Sequence, residues 1–120
     1  MLEKKTFISA FKKSRCLVPI SGWYEWKIID DVKQPFFFKH KENQNMFAAG
    51  LYWPRSDGST EFTIITTAAP LEINEVHDRS PLILDDVSMG IWLSDDNPED
   101  IHVNISHDFG DIIEHYQVTR

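Results

Sequence analysis

Five short runs between Arg15 and Thr67 constrain the fold more than any other part of this chain. "CLVPI", "GWYEWKII", "PFFFK", "MFAAGLYW" and "EFTIITT" all read as strands. The last is enriched in β-branched residues, which suit a pleated surface. In the second, Trp23, Glu25 and Lys27 share one face, while Tyr24, Trp26 and Ile28 share the other, because side chains alternate along a strand. Pro19 interrupts the first run, which reads as buried. Pro54 to Thr60, with "SDGS", reads as a turn. A chain that opens this way must build a sheet, and its strands follow one another closely enough to pair antiparallel.

Helices flank that block. Apolar residues at 7, 8, 10 and 11 give the spacing of a short amphipathic helix over Phe7–Lys13. "APLEINEVHDRSP" reads as a short helix ending near His77, before Pro81. "PLILDD" reads as a short strand and "DVSMGIWL" as a helix with Gly90 a weak point. "NPEDIHVNI" has no clear pattern. "DFGDIIEHY" reads as helical, and "YQVTR" as the opening of a strand that then stops. The class is α+β: a mainly antiparallel sheet or partial β-barrel with short flanking helices, in one domain over residues 1–120.

The 120 residues carry 42% hydrophobic and 26% charged side chains, as a globular protein does. No run of about 18 apolar residues marks a membrane span. The N-terminus is too charged for the apolar core of a signal peptide. The single Cys16 excludes an internal disulfide and a cysteine-rich zinc site. A cytoplasmic location is expected. The net charge of -7 is uneven: residues 1–60 hold 10 Lys and Arg against 6 Asp and Glu, and residues 61–120 hold 2 against 13. The acidic half opposes general nucleic-acid affinity, since phosphate contacts need cations. The basic half leaves room for a local groove.

Three side chains stand out chemically. Glu25 lies between two aromatics, with Trp23 on its own face. Removal from water by such a neighbour raises a carboxyl's pKa, as a general acid or base requires. The bland alternative is a solvated strand carboxylate. His77, in "HDRSP", is of the residue type that can donate or accept a proton near neutral pH, and the alternative is an ion-paired cluster at a helix end. Cys16 paired with His77 would make a thiol nucleophile, but a cysteine in an apolar run is more often a small core residue. His102 and His107, with Asp108, match no strong ligand spacing, so no metal and no other cofactor is expected. "FFF" at 36–38 and the four tryptophans are core first and stacking platform second.

"RCLVPISGWYEWK", "FAAGLYW", "FTIITTAAPLEINEVHDRSPLIL" and "IWL", in that order over about residues 7–118, resemble the SOS response-associated peptidase (SRAP) family. Its blocks run RCL-P-GFYEW, AGLW, FTI-T-AN and HDRMP. The resemblance implies binding to single-stranded DNA and a covalent thiazolidine link to abasic sites. The amine of an N-terminal cysteine condenses with the open sugar aldehyde, and its thiol closes the ring. It also implies that Glu25 shuttles protons and takes part in removing the initiator methionine, and that His77 assists the Schiff base and holds the opened sugar. Arg79, Trp23, Arg15 and Lys13 are the expected DNA contacts, with Lys4, Lys5 and Lys12 adding weak attraction.

Two departures matter. The family's cysteine follows the initiator methionine, whereas this chain begins Met1-Leu2-Glu3. Cys16 lies inside the RCL block without a free α-amine, so it does not replace that nucleophile. The N-terminal segment that carries the cysteine and a final C-terminal strand are expected to be missing. Minor changes are Ser80 for the Met of HDRMP and Trp23 for the Phe of GFYEW. The expectations are therefore a family member that binds abasic single-stranded DNA without cross-linking it or, from a different class, a non-catalytic interaction module. A sheet short of strands exposes apolar edges, and a homodimer through those edges is expected.

Overall fold

The computed structural model describes residues 3–119. Met1, Leu2 and Arg120 lie outside the described residues, including the position after the initiator methionine. The elements are α1 (Lys4–Lys13), β1 (Arg15–Ile20), β2 (Gly22–Ile29), β3 (Val32–His40), β4 (Met46–Pro54), β5 (Thr60–Ile64), β6 (Thr66–Ala68), α2 (Leu71–Asn74), β7 (Arg79–Pro81), α3 (Asp86–Trp92), α4 (Pro98–Asn104), a 3-10 turn (Gly110–Ile112) and β8 (Ile113–Gln117). All strand pairs among them are antiparallel, in the orders β1-β4-β5, β2-β3-β8 and β6-β7. The class is α+β, as the sequence implies.

β4 is the centre. Met46, Ala48, Ala49 and Leu51 are buried, on both faces of the strand. Such a strand must be apolar throughout and small where neighbours press in. Gly50 shows why: a Cβ there would lie 2.8 Å from Val18 Cγ2 and 3.0 Å from Cys16 Sγ. The segment 82–84 crosses beside β4. Ala49 N donates to Leu82 O, Leu82 N to Ile65 O, and Ile65 N back to Ala49 O, each at 2.9 Å. This ring of bonds joins the first sheet to β6 and β7. Leu82, Ile83 and Leu84 plug the core beneath it.

β2 and β3 form a two-residue hairpin. Asp30 (φ 50°) and Asp31 (φ 63°) both take left-handed backbone, the requirement of a turn whose twist matches the strands. Aspartate tolerates that region better than most residues. One face of β2-β3-β8 carries Trp23, Glu25, Phe36, Phe38 and His115. The other carries Tyr24, Trp26, Phe37 and Tyr116. The expected alternation in β2 therefore holds: Trp23, Glu25 and Lys27 are partly buried, and Tyr24, Trp26 and Ile28 are exposed.

The structure corrects five expectations. "DFGDIIEHY" is not a helix but a 3-10 turn leading into β8, which takes partners along β3 from Phe36 to His40. An isolated apolar stretch reads either way, and here the free edge of β3 decides. "EFTIITT" is two strands broken at Ile65, whose N–H turns to β4. α2 stops at Asn74, so His77 sits on a turn rather than a helix end. The strand expected in "PLILDD" lies earlier, over Arg79–Pro81, leaving Ile83 as a single bridge to Ala48. The run expected to open at Tyr116 is instead the end of β8, continued by Val118 N donating to Pro35 O at 2.9 Å. No helix among the described residues is long and apolar enough to cross a membrane.

Candidate functional site

Glu25 projects from the inner face of β2, opposite Phe36 and two residues from Trp23. Trp23 stacks on the fully buried Phe38, ring centroids 5.2 Å apart and planes 12° apart. Its indole N–H is buried without a hydrogen-bond partner among the described residues. One face of Trp23 is thus committed to the core, so it is a wall of the site rather than an open stacking platform. Glu25 keeps only 22% of its side chain exposed. Burial pushes its carboxyl above the usual glutamate range, and the His77 imidazole partly offsets this.

His77 arrives from the turn after α2. Its backbone N–H donates to Ile73 O at 3.1 Å, and Asp78 O accepts from Ala69 N at 2.9 Å, so main-chain bonds bracket the residue. Nδ1 lies 3.7 Å from Glu25 Oε2 and 3.8 Å from Asp78 Oδ1. It also lies 3.2 Å from Arg79 N and 3.1 Å from Arg79 O. One ring nitrogen cannot donate and accept at once. Unprotonated, Nδ1 accepts from Arg79 N–H; protonated, it faces Glu25 and Arg79 O. The two residues lie 52 positions apart in sequence, yet the fold brings them together.

A separation of 3.7 Å is too long for a direct hydrogen bond. An oxygen about 2.8 Å from both atoms would bridge them. A carboxyl with a raised pKa and an imidazole around one small oxygen can deliver and withdraw protons there. Replacing Glu25 should reveal the cost of holding that carboxyl. Its raised pKa means the folded state disfavours the charged form. Its favourable contribution is present below the unfolded pKa and is lost as pH rises through the folded value. Glu25→Gln should therefore be more stable than the parent at pH 7, with the difference shrinking as pH falls through the raised pKa and gone below about 4. Urea midpoints at the two pH values check this, and a parent that is the more stable at pH 7 would refute it.

The other sequence-predicted residues scatter. Arg79 is beside His77 in sequence, and its Nη2 donates to Thr66 O and Oγ1, both at 3.1 Å. Arg15 lies away from Glu25. Its guanidinium donates to Trp92 O at 2.6 Å, to Ser94 O at 2.7 Å and also to Phe11 O. Lys13 ends α1 at the surface, where a cation suits the helix's negative end. Cys16 is half-buried on β1 and burial pushes its thiol up, which disfavours the reactive thiolate. Among the described residues the polar neighbours of His77 are Glu25, Asp78 and Arg79, with no thiol.

A groove of about 760 Å³ lies elsewhere. It runs between α1 and α4 and is lined mostly by apolar side chains, including Phe7, Phe11 and Trp92. Arg79, Thr66 and Thr67 line it too, whereas Glu25 and His77 do not. His107 Nδ1 sits 3.1 Å from Thr67 Oγ1, with the His102 ring 5.8 Å from its own. No group of three or more metal-ligating side chains occurs among the described residues. Sequence reasoning passed over Thr66, which orients Arg79. A threonine in a β-branched run carries no signal of such a role.

The model of the family described as SOS response associated peptidase (SRAP) matches residues 1–120. The abasic site processing protein YoqW of Bacillus subtilis is 36% identical over 125 residues, covering 98% of this chain and 55% of YoqW. YobE of the same organism, also an abasic site processing protein, is 36% identical over 128 residues, covering 99% of this chain and 58% of YobE. A crystal structure of a protein from Bacteroides thetaiotaomicron superposes with a TM-score of 0.83 at 26% identity, over 98% of this chain and 54% of that one. The chain thus spans a little over half the length of these relatives. With sequence blocks and backbone in agreement along its whole length, this chain belongs to the SRAP family.

Proposed function

We propose that this chain binds single-stranded DNA at abasic sites, with Glu25 and His77 facing the opened sugar. The supporting observation is the pairing of a burial-raised carboxyl with an imidazole 3.7 Å away, at the residues matching the family's working pair. Relatives called abasic site processing proteins support the choice of substrate. When an amine adds to the sugar aldehyde, the carbinolamine hydroxyl must gain a proton and leave as water. Protonated Glu25 supplies that proton, and His77 hydrogen-bonds the sugar hydroxyl. Arg79 and the lysines of α1 contribute phosphate attraction. In the family the amine and thiol belong to an N-terminal cysteine, and position 2 here is Leu. On this reading Glu25 and His77 hold the lesion within these 120 residues by non-covalent contacts. The cytoplasm is its proposed compartment.

The test mixes the chain with a single strand bearing one abasic site. A shift on a native gel without a band on a denaturing gel is expected. His77→Ala should weaken binding to the abasic strand about tenfold, the worth of one charge-assisted hydrogen bond. It should leave the weaker binding of an intact strand unchanged. Equal binding of abasic and intact strands would defeat the proposal. A covalent band would defeat its non-covalent part, and peptide mapping would then find the reacting group.

A second reading, an interaction module, is favoured by one feature. Tyr24, Trp26 and Tyr116 are half-exposed on the outer face of β2-β3-β8, beside Ile28 at 68%. A homodimer that covers this face, or pairs along the free edge of β2, buries these side chains. Light scattering at high concentration tests it.

A further inference from the structure

Glu25 stands on a sheet, while His77 hangs from a turn that must be brought to it. Main-chain bonds hold the turn at Ile73 and Asp78. These bonds are all within residues 69–78, and none reaches β2 or β8. A side-chain contact supplies the missing restraint. Glu75, immediately after α2 and two residues before His77, places Oε1 3.2 Å from Nε2 of His115 on β8.

His115 is itself well anchored. Its ring packs 5.0 Å from the ring of Phe38 and meets Phe36 at 6.0 Å. Phe38 is fully buried and stacks on Trp23. Phe36 is the cross-strand partner of Glu25. Trp23, Phe38 and His115 thus form a row across all three strands, on the face that carries Glu25. The sheet offers the α2 turn two landing points, His115 for Glu75 and Glu25 for His77.

We propose that Glu75 and His115 are positioning residues: His115 Nε2–H donates to the Glu75 carboxylate and thereby holds the α2 turn, and with it His77, against Glu25. Neither touches the reacting atoms in this arrangement. The inference rests on reading Glu25 and His77 as the working pair, but its test measures their geometry with no DNA present. It can therefore fail or succeed independently of any activity.

The direction of one titration separates a positioning role from simple charge. The imidazole of His77 supports the Glu25 carboxylate against burial. Glu75→Ala removes a negative charge, which alone would move the Glu25 titration down. If Glu75 holds His77 in place, the same substitution lets His77 leave and moves the Glu25 titration up. Glu75→Gln removes the charge but keeps an oxygen that accepts from His115, so no upward movement is expected. His115→Ala should reproduce the upward movement.

The measurement is the carboxyl carbon shift of Glu25 against pH by NMR, in the full chain and each variant. The Glu75 side chain is 66% exposed, so its replacement leaves the core intact. Proton contacts between the His77 ring and the Glu25 side chain should be present in the parent and in Glu75→Gln, and lost in Glu75→Ala. A Glu25 titration that stays put or moves down in Glu75→Ala, or ring contacts that persist there, would overturn the proposal.

Discussion

Trp92→Ala is expected to lose about 3–5 kcal/mol of stability, the usual cost of emptying a large buried aromatic site. Trp92 is 1% exposed on α3 and makes three contacts with α1 and β1. Its indole N–H donates to the Cys16 carbonyl on β1 at 2.9 Å. The Phe11 ring of α1 meets it edge-on with centroids 5.5 Å apart. Its own carbonyl accepts from Arg15 at 2.6 Å. Alanine would leave a void between rigid elements that cannot close over it and would remove the indole's bond to the Cys16 carbonyl. Since single domains hold only about 5–15 kcal/mol in total, this change takes much of it. Urea unfolding followed by circular dichroism measures the loss. A cost below about 1 kcal/mol would mean that α3 is not fixed to β1 as described.

Arg15→Ala is expected to cost about 2–4 kcal/mol, and Arg15→Lys nearly as much. The guanidinium collects carbonyls from the last turn of α1 and from the end of α3 at Trp92 and Ser94. Carbonyls at helix ends lack partners within their own helix. A planar fork of donors serves several at once, whereas a lysine ammonium cannot match that geometry. Arg15 and the Trp92 side chain both tie the end of α3 to β1, so the costs of Arg15→Ala and Trp92→Ala should not add. The double variant should be less destabilised than the sum of the single ones by 0.5 kcal/mol or more, a range typical of residues in contact. Additive costs would show that Arg15 and Trp92 act separately. Arg15→Lys also bears on recognition. If Arg15 serves only the fold, affinity for an abasic strand is unchanged at temperatures where the variant stays folded.

Much of this molecule was legible before any coordinates. The strand-forming runs stand where expected because each is bounded by turn residues and patterned for a pleated surface. The two faces of β2 follow from alternation alone. The errors cluster where local pattern is silent. "DFGDIIEHY" carries apolar residues compatible with either a helix or a strand, and only the open edge of β3 selects the strand. "EFTIITT" looks continuous, but a bond from Ile65 to Ala49 breaks it.

The candidate site residues divide in the same way. Glu25, His77 and Arg79 are legible as residue types in recognisable blocks. Their order and spacing are linear information, and they were enough to point to the family. Nothing linear places Glu25 3.7 Å from His77, buries its carboxyl, or hands the Arg15 guanidinium to Phe11, Trp92 and Ser94. Those outcomes come from contacts between segments distant in sequence, and burial and Coulomb energies depend on distances in space. The sequence by itself determined the strands, the faces of β2 and the candidate chemistry, because these depend on neighbours along the chain. The tertiary structure alone decided which charged groups meet, which serve the core, and where β8 joins the sheet.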